Sequence, residues 1–171
     1  MAPESVGVED GLQRLWTPYR MAYLDRPART TGCPFCEAPQ TSDDEGLIVY
    51  RGSVAYVILN LFPYNPGHLL ICPYRHVADY TDLERAEREE VAQLTATAMA
   101  VIRRASTPAG FNLGINQGAV AGAGVAGHLH QHVVPRWAGD ANFFPIIAQT
   151  KAMPQLLAET RALLAKTWSQ E

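Results

Sequence analysis

Three of the five histidines in this 171-residue chain stand at alternate positions in Gly127-His128-Leu129-His130-Gln131-His132-Val133-Val134-Pro135-Arg136. Successive side chains of an extended segment point to opposite faces. A strand over this stretch therefore sets His128, His130 and His132 in one row and Leu129, Gln131 and Val133 on the other side. A helix would scatter the three rings over about 200° and make no common site. The bland alternative is a half-buried strand whose polar face happens to be histidine. Imidazole, however, changes charge close to neutral pH, so a row of three is awkward to bury and suited to chemistry. A neutral imidazole attacks phosphorus well when its other ring nitrogen donates a hydrogen bond that fixes the tautomer. His130, in the centre of the row, has backbone carbonyls within reach for that bond.

The segment that delivers the chain to this row, Gln117 to Gly127, is built from glycine and alanine. Loop amides around Gly118, Gly122 and Gly124 could reach phosphate oxygens with no Cβ in the way. Asn116 and Gln117 could add side-chain donors. Taken alone, the same composition also describes a flexible connector.

A second constellation is Cys33-Pro34-Phe35-Cys36. Two thiolates at this spacing reach one tetrahedral ion, and structural zinc takes four nitrogen or sulfur ligands. Only His68, His76 and the alternating row remain to complete the set. A redox pair has the same spacing, although it usually opens a helix after a strand in a βαβ unit, which is not visible here. Cys72, between Ile71 and Pro73, reads as a small buried hydrophobe.

The elements that must hold these groups follow from patterning. Leu47–Arg51 and Val54–Leu59 are short apolar runs joined by Gly52-Ser53, a hairpin pattern. His68–Pro73 is a further strand, with His76 just past its end. Thr81 or Asp82 is the expected cap of a long amphipathic helix from Leu83 to Ala105. Its core face is carried by Val91, Leu94, Ala98, Val101 and Ile102, and Pro108-Ala109-Gly110 stops it. Phe111–Asn116 alternates as a strand, and Met153 to Trp168 forms a second amphipathic helix. Residues Leu12 to Leu24, with Trp16 and Tyr19, read as a docked aromatic arm. The order implies an α+β domain on an antiparallel sheet.

Composition bounds the rest. Hydrophobic residues make up 47% and charged residues 18% of the chain, a globular balance. The net charge of -3 argues against a general nucleic-acid binder, which presents a basic face. No apolar run approaches the ~18 residues of a membrane span, and the first residues lack the pattern of a signal peptide. Three cysteines, two of them paired by spacing, suit a reducing cytoplasm.

The segment His128-Leu129-His130-Gln131-His132-Val133-Val134 resembles the signature of the histidine-triad (HIT) nucleotide hydrolases and transferases. Asn65-Pro66-Gly67-His68 with Ile71-Cys72-Pro73 is similar to the family's earlier block, and Phe111-Asn112 through Gly118 to its strand and loop before the triad. The flanks Leu15–Met21 and Pro135–Phe143 resemble an actinobacterial branch of the family that phosphorolyses diadenosine tetraphosphate. The resemblance implies a HIT-like sheet of about five strands, one long helix and a C-terminal helix packed on it. It implies a single domain over 1–171, with an N-terminal arm at 1–32, a core at 33–150 and a C-terminal helix at 151–171.

By the same resemblance His130 matches the nucleophile that forms a phosphoramidate with a nucleoside monophosphate. His132 matches the contact to phosphate oxygens and the bridging leaving group, and His68 the ring that buttresses the triad. Asn60 matches a ribose contact and Asn116 a phosphate-side amide. Cys33, Cys36, His76 and His128 fall where zinc-bearing members place structural metal ligands. The implied reaction converts diadenosine tetraphosphate and inorganic phosphate to ADP and ATP in a cytoplasmic homodimer or higher homo-oligomer. A hydrolase using water on dinucleoside polyphosphates or nucleoside phosphoramidates, or a weakly catalytic nucleotide sensor, are the alternatives. Two departures bear on this choice. Gly124 stands where many relatives carry Ser or Gln, leaving only a backbone amide, and the phosphorylase branch does not always keep the cysteine pair.

Overall fold

The computed structural model describes residues 32–140 and 155–170. The aromatic arm around Trp16 and the expected start of the last helix at Met153 lie outside these residues.

Five strands form one antiparallel sheet: β1 (Ile48–Arg51), β2 (Ala55–Leu59), β3 (Leu69–Pro73), β4 (Gly110–Ile115) and β5 (Gln131–Arg136), in the order β1-β2-β3-β5-β4. The helices are α1 (Pro34–Glu37), α2 (Arg85–Ser106) and α3 (Leu157–Trp168). Strands β2 and β3 are buried at every position, which is why they read as unbroken apolar runs rather than alternating ones. One face, through Val57, Leu59, Leu69, Ile71 and Val133, meets Val91, Leu94, Ala98, Val101 and Ile102 of α2 and Leu164 and Trp168 of α3. The opposite face packs Ile48, Tyr56, Ile58, Leu70 and Cys72 against Phe35 of α1. Cys72 is fully buried there, and burial pushes its thiol up, as expected of a small hydrophobe.

Two local expectations are corrected. Neither Thr81 nor Asp82 caps α2. Asp79 accepts bonds from the Thr81 amide and hydroxyl at 2.8 and 2.7 Å, capping a short 3-10 turn over Tyr80–Asp82. Leu83 then dips into a cluster with Val77 and Leu129, which keeps the backbone extended and delays the helix to Arg85. There the Glu87 carboxylate accepts the Glu84 amide at 2.8 Å. The second correction concerns the histidine row. Ladder pairing begins only at Gln131, opposite Ile71 and Ile115, so His128 and His130 precede β5. The Leu129 amide bonds instead to the Val77 carbonyl at 2.7 Å, and the His128 carbonyl accepts the His130 ring. The segment stays extended and the alternation survives.

Candidate active site and metal centre

The sheet register sets the first coordinate of the site. His132 pairs with Leu70 on one side and Gly114 on the other, so its ring stands on the α1 face of the sheet. A Cβ at Gly114 would meet no atom within 4 Å, which leaves that flank of His132 open. The rings of His130 and His132 lie 5.0 Å apart between centroids, inclined by 63°. All three row histidines are buried, as is His68.

The hydrogen bonds fix the tautomers in sequence. The Tyr64 amide donates to His68 Nδ1 at 3.0 Å, so that nitrogen is an acceptor and the proton sits on Nε2. His68 Nε2 then donates to His132 Nδ1 at 2.9 Å. His132 in turn carries its proton on Nε2, a buried atom that has no partner among the described residues. A buried donor of this kind is costly unless an acceptor meets it. His130 Nδ1 lies 2.8 Å from the His128 carbonyl; since a carbonyl only accepts, His130 bears its proton on Nδ1. Its Nε2 therefore holds a free lone pair, the form in which an imidazole can act as a nucleophile. Burial lowers the affinity of His130 for a proton, partly offset by that same bond, so the ring is neutral at pH 7.

Burial, with a smaller contribution from His130, pushes His132 down to about 4. The unfolded value is near 6.5, so below that pH the unfolded chain takes a proton that the folded one refuses. Stability from this group is full above pH ~6.5, declines as the pH falls, and stops declining below about 4. Urea unfolding at pH 7 and pH 4.5 should show a loss that shrinks in His132→Gln by about 1–3 kcal/mol. Equal losses in both proteins would show that His132 is not held neutral.

A second centre lies behind the row. His128 Nε2 donates to the Pro73 carbonyl at 2.9 Å, which turns Nδ1 toward Cys33 and Cys36 Sγ, each 3.4 Å away. His76 Nδ1 is 3.3 Å from Cys36 Sγ. The four ligand atoms of Cys33, Cys36, His76 and His128 lie within 4.8 Å of one another. Two sulfurs and two imidazole nitrogens at this spacing fit a tetrahedral metal, and the Pro73 carbonyl gives His128 the outer hydrogen bond that metal-binding histidines take. The cluster can bind a metal. Cys36 is held protonated without one, through burial and the neighbouring Cys33.

The other expected contacts divide. Asn60 stands at the site, its side-chain amide 3.2 Å from His68 Nδ1 and its oxygen accepting from the Phe62 amide. Asn116 lies just beyond the end of β4. Gln117 is engaged by the turn after His76: its oxygen accepts the Tyr80 amide at 2.9 Å, and it also bonds Asp79. Gly118 and Gly122 have φ of 84° and 88°, where a Cβ is strained. The amides of Ala121, Gly122 and Ala123 bond the Gly118 and Ala119 carbonyls within the loop, so the Gly122 amide is already engaged. Gly124 is exposed.

Other residues at the site were given no role from the sequence, although Asn65, Arg136 and Asp140 fall in segments that carry the family resemblance. Tyr64 stacks on His132 at 5.7 Å and 11° and supplies the amide that sets the His68 tautomer. Asn65 donates to the Pro135 carbonyl and to Asp140, while Arg136 grips both Asp140 oxygens. That cluster bolts the turn before His68 onto the end of β5.

The HIT domain family matches residues 42–139. The chain belongs to the HIT family. This HIT protein is 52% identical, over 97% of its own length and 89% of the relative's, to an AP-4-A phosphorylase of Mycobacterium tuberculosis. Its fold is similar to a zinc-bound histidine triad family protein from Mycobacterium smegmatis, with a TM-score of 0.65, 25% identity and coverage of 81% of this chain and 94% of that one. A hypothetical histidine triad nucleotide-binding protein from Sulfolobus tokodaii gives the same TM-score at 26% identity, covering 81% of this chain and 93% of its own. The expected HIT-like sheet with its two helices is thus the fold observed. No helix among the described residues is long and apolar enough to cross a membrane.

Proposed function

We infer that this HIT protein cleaves diadenosine tetraphosphate with inorganic phosphate, giving ADP and ATP through a nucleotidyl-histidine intermediate. The observation that carries the reading is the pair of tautomers: a lone pair on His130 Nε2 beside an unpartnered proton on His132 Nε2. The 52% identity to a protein named AP-4-A phosphorylase supports the substrate.

His130 Nε2 attacks an α-phosphorus in line. The P–N bond forms as the P–O bond to the remaining triphosphate breaks, and ATP leaves. His132 donates from Nε2 to the bridging or equatorial oxygens, where negative charge builds. Inorganic phosphate then attacks the phosphorus of the AMP–His130 adduct from the vacated side, releasing ADP and restoring the neutral ring. His68 acts through His132, keeping its proton on Nε2. Asn60 and Asn116 contact the nucleotide, and the loop amides of Gly118 and Gly124 meet the phosphates.

A bound metal, which we assign as structural zinc on Cys33, Cys36, His76 and His128, supplies rigidity rather than chemistry. The reading places the protein in a reducing cytoplasm, where both thiols stay available, and treats 1–171 as one domain. A homodimer is part of it: β4 is an edge strand with Leu113 exposed.

Incubation with diadenosine tetraphosphate, with phosphate varied, tests the acceptor. ADP and ATP should appear in equal amounts at a rate that rises with phosphate. AMP and ATP formed equally fast without phosphate would make the protein a hydrolase, and tight nucleotide binding with no product would make it a sensor.

A further inference from the structure

One bond fixes the His130 tautomer but leaves its plane underdetermined. The terminal torsion of a histidine side chain is broad, and the Nδ1–H bond to the His128 carbonyl is compatible with a range of ring tilts. Packing must choose among them. On one side the ring meets the inclined ring of His132. The other aromatic neighbour comes from 95 residues earlier in the chain: Phe35, whose ring centroid is 4.8 Å from that of His130 at 41°.

Phe35 is held from both directions. It sits between Cys33 and Cys36, and the Cys33 carbonyl accepts the amides of Cys36 and Glu37 at 3.0 Å each. Its own carbonyl accepts the hydroxyl of Tyr56 at 2.7 Å, and Tyr56 is fully buried in β2. The same phenyl ring touches His128 edge-on at 5.6 Å and 69°. Phe35 is thus a wedge with the metal centre on one side and the reactive ring on the other, and it cannot shift unless the cysteine pair shifts.

We propose that Phe35 is a positioning residue for the His130 imidazole, transmitting the geometry of the Cys33–Cys36–His76–His128 centre to the ring that attacks phosphorus. The inference rests on His130 being the nucleophile. As a positioning residue Phe35 acts through the His130 ring, so its removal is expected to change how often that ring is aligned. A misplacement of about 1 Å costs on the order of a hundredfold in rate.

Phe35→Ala and Phe35→Leu, each loaded with Co²⁺, test this. The cobalt–thiolate absorption band reads the metal centre independently of turnover, and imidazole ¹⁵N relaxation in the zinc-loaded proteins reads the mobility of the His130 ring. Phe35→Ala is expected to keep the band, keep KM for diadenosine tetraphosphate within about threefold and lose tenfold or more in kcat, with the His130 ring more mobile and its Nδ1–H tautomer retained. Phe35→Leu should recover most of the lost kcat. Unchanged kcat in metal-loaded Phe35→Ala overturns the proposal, as does a KM effect without a kcat effect. Should Phe35→Ala fail to load metal, Phe35→Leu and Phe35→Val take its place, and kcat that does not track side-chain volume overturns it equally. His130→Gly separates the two layers: if it is inactive while Phe35→Ala is fully active, only the wedge fails; if it keeps turnover, the nucleophile reading falls as well.

Discussion

His130→Ala is expected to lower kcat for diadenosine tetraphosphate by about 10⁴-fold or more while leaving the fold intact. The size of the loss follows from the absence of a substitute among the neighbouring rings. His132 has its Nδ1 lone pair occupied by His68 and a proton on Nε2, so it can donate and cannot attack. His128 is held by the Pro73 carbonyl on one nitrogen and faces two sulfurs with the other. By the proposed mechanism, removing the His130 ring therefore removes the reaction path and not merely part of its stabilisation. His132→Gln, which loses charge stabilisation and keeps the nucleophile, should cost less, about 10²–10³-fold. Rapid-quench detection of the covalent adduct distinguishes the two: none in His130→Ala, slow accumulation in His132→Gln. The truncation removes one ring beside Phe35 and leaves the α2 side of the sheet untouched, so cooperative unfolding should persist. Turnover in His130→Ala within tenfold of the parent would remove this residue from the role.

Protein never exposed to chelator should contain one zinc per chain, and stripping it should lower the melting temperature by about 10 °C, corresponding to roughly 3 kcal/mol. Zinc-finger peptides owe their entire fold to the metal, at apparent values of about 10–16 kcal/mol. Here the larger core, made by α2, α3 and the inner strands, contains none of the four ligands. A metal on these four ligands would join three parts of the chain that are distant in sequence: α1, the turn after β3 and the segment before β5. Its loss should therefore loosen the α1 face and spare the rest. Cys33→Ser should reproduce the chelated state, and re-addition of zinc should restore only the parent. Because cysteine and histidine ligands must lose protons to bind, zinc retention should weaken as the pH falls below about 6. Metal analysis that finds no zinc would refute the assignment, and a melting temperature indifferent to chelation would refute its structural role.

The chain declared some of this openly. β2 and β3 are visible because strands covered on both faces must be apolar throughout. The core face of α2 is visible because Val91, Leu94, Ala98, Val101 and Ile102 recur at the helical period, and all five are buried. That His128, His130 and His132 share a face follows from alternation alone, and it holds even though two of them precede the ladder. The cysteine pair announced a metal or a redox couple without deciding between them, and resemblance to the HIT family supplied the other two ligands.

What remained hidden depends on contacts between residues far apart in the chain. The start of α2 was misplaced because Leu83 is drawn into a pocket with Leu129, a partner 46 positions on that no local propensity encodes. Gln117 looked like an anion donor until the turn at Asp79–Tyr80 engaged it. The protonation pattern of the site needs the Tyr64 amide, His68 and His132 in line, and the last pair is 64 residues apart. Local periodicity can say which way a side chain points from its own strand. Only the closed sheet, by setting β3 against β5 and α1 against the approach to it, decides which ring faces which hydrogen-bond partner, and so which nitrogen keeps the lone pair.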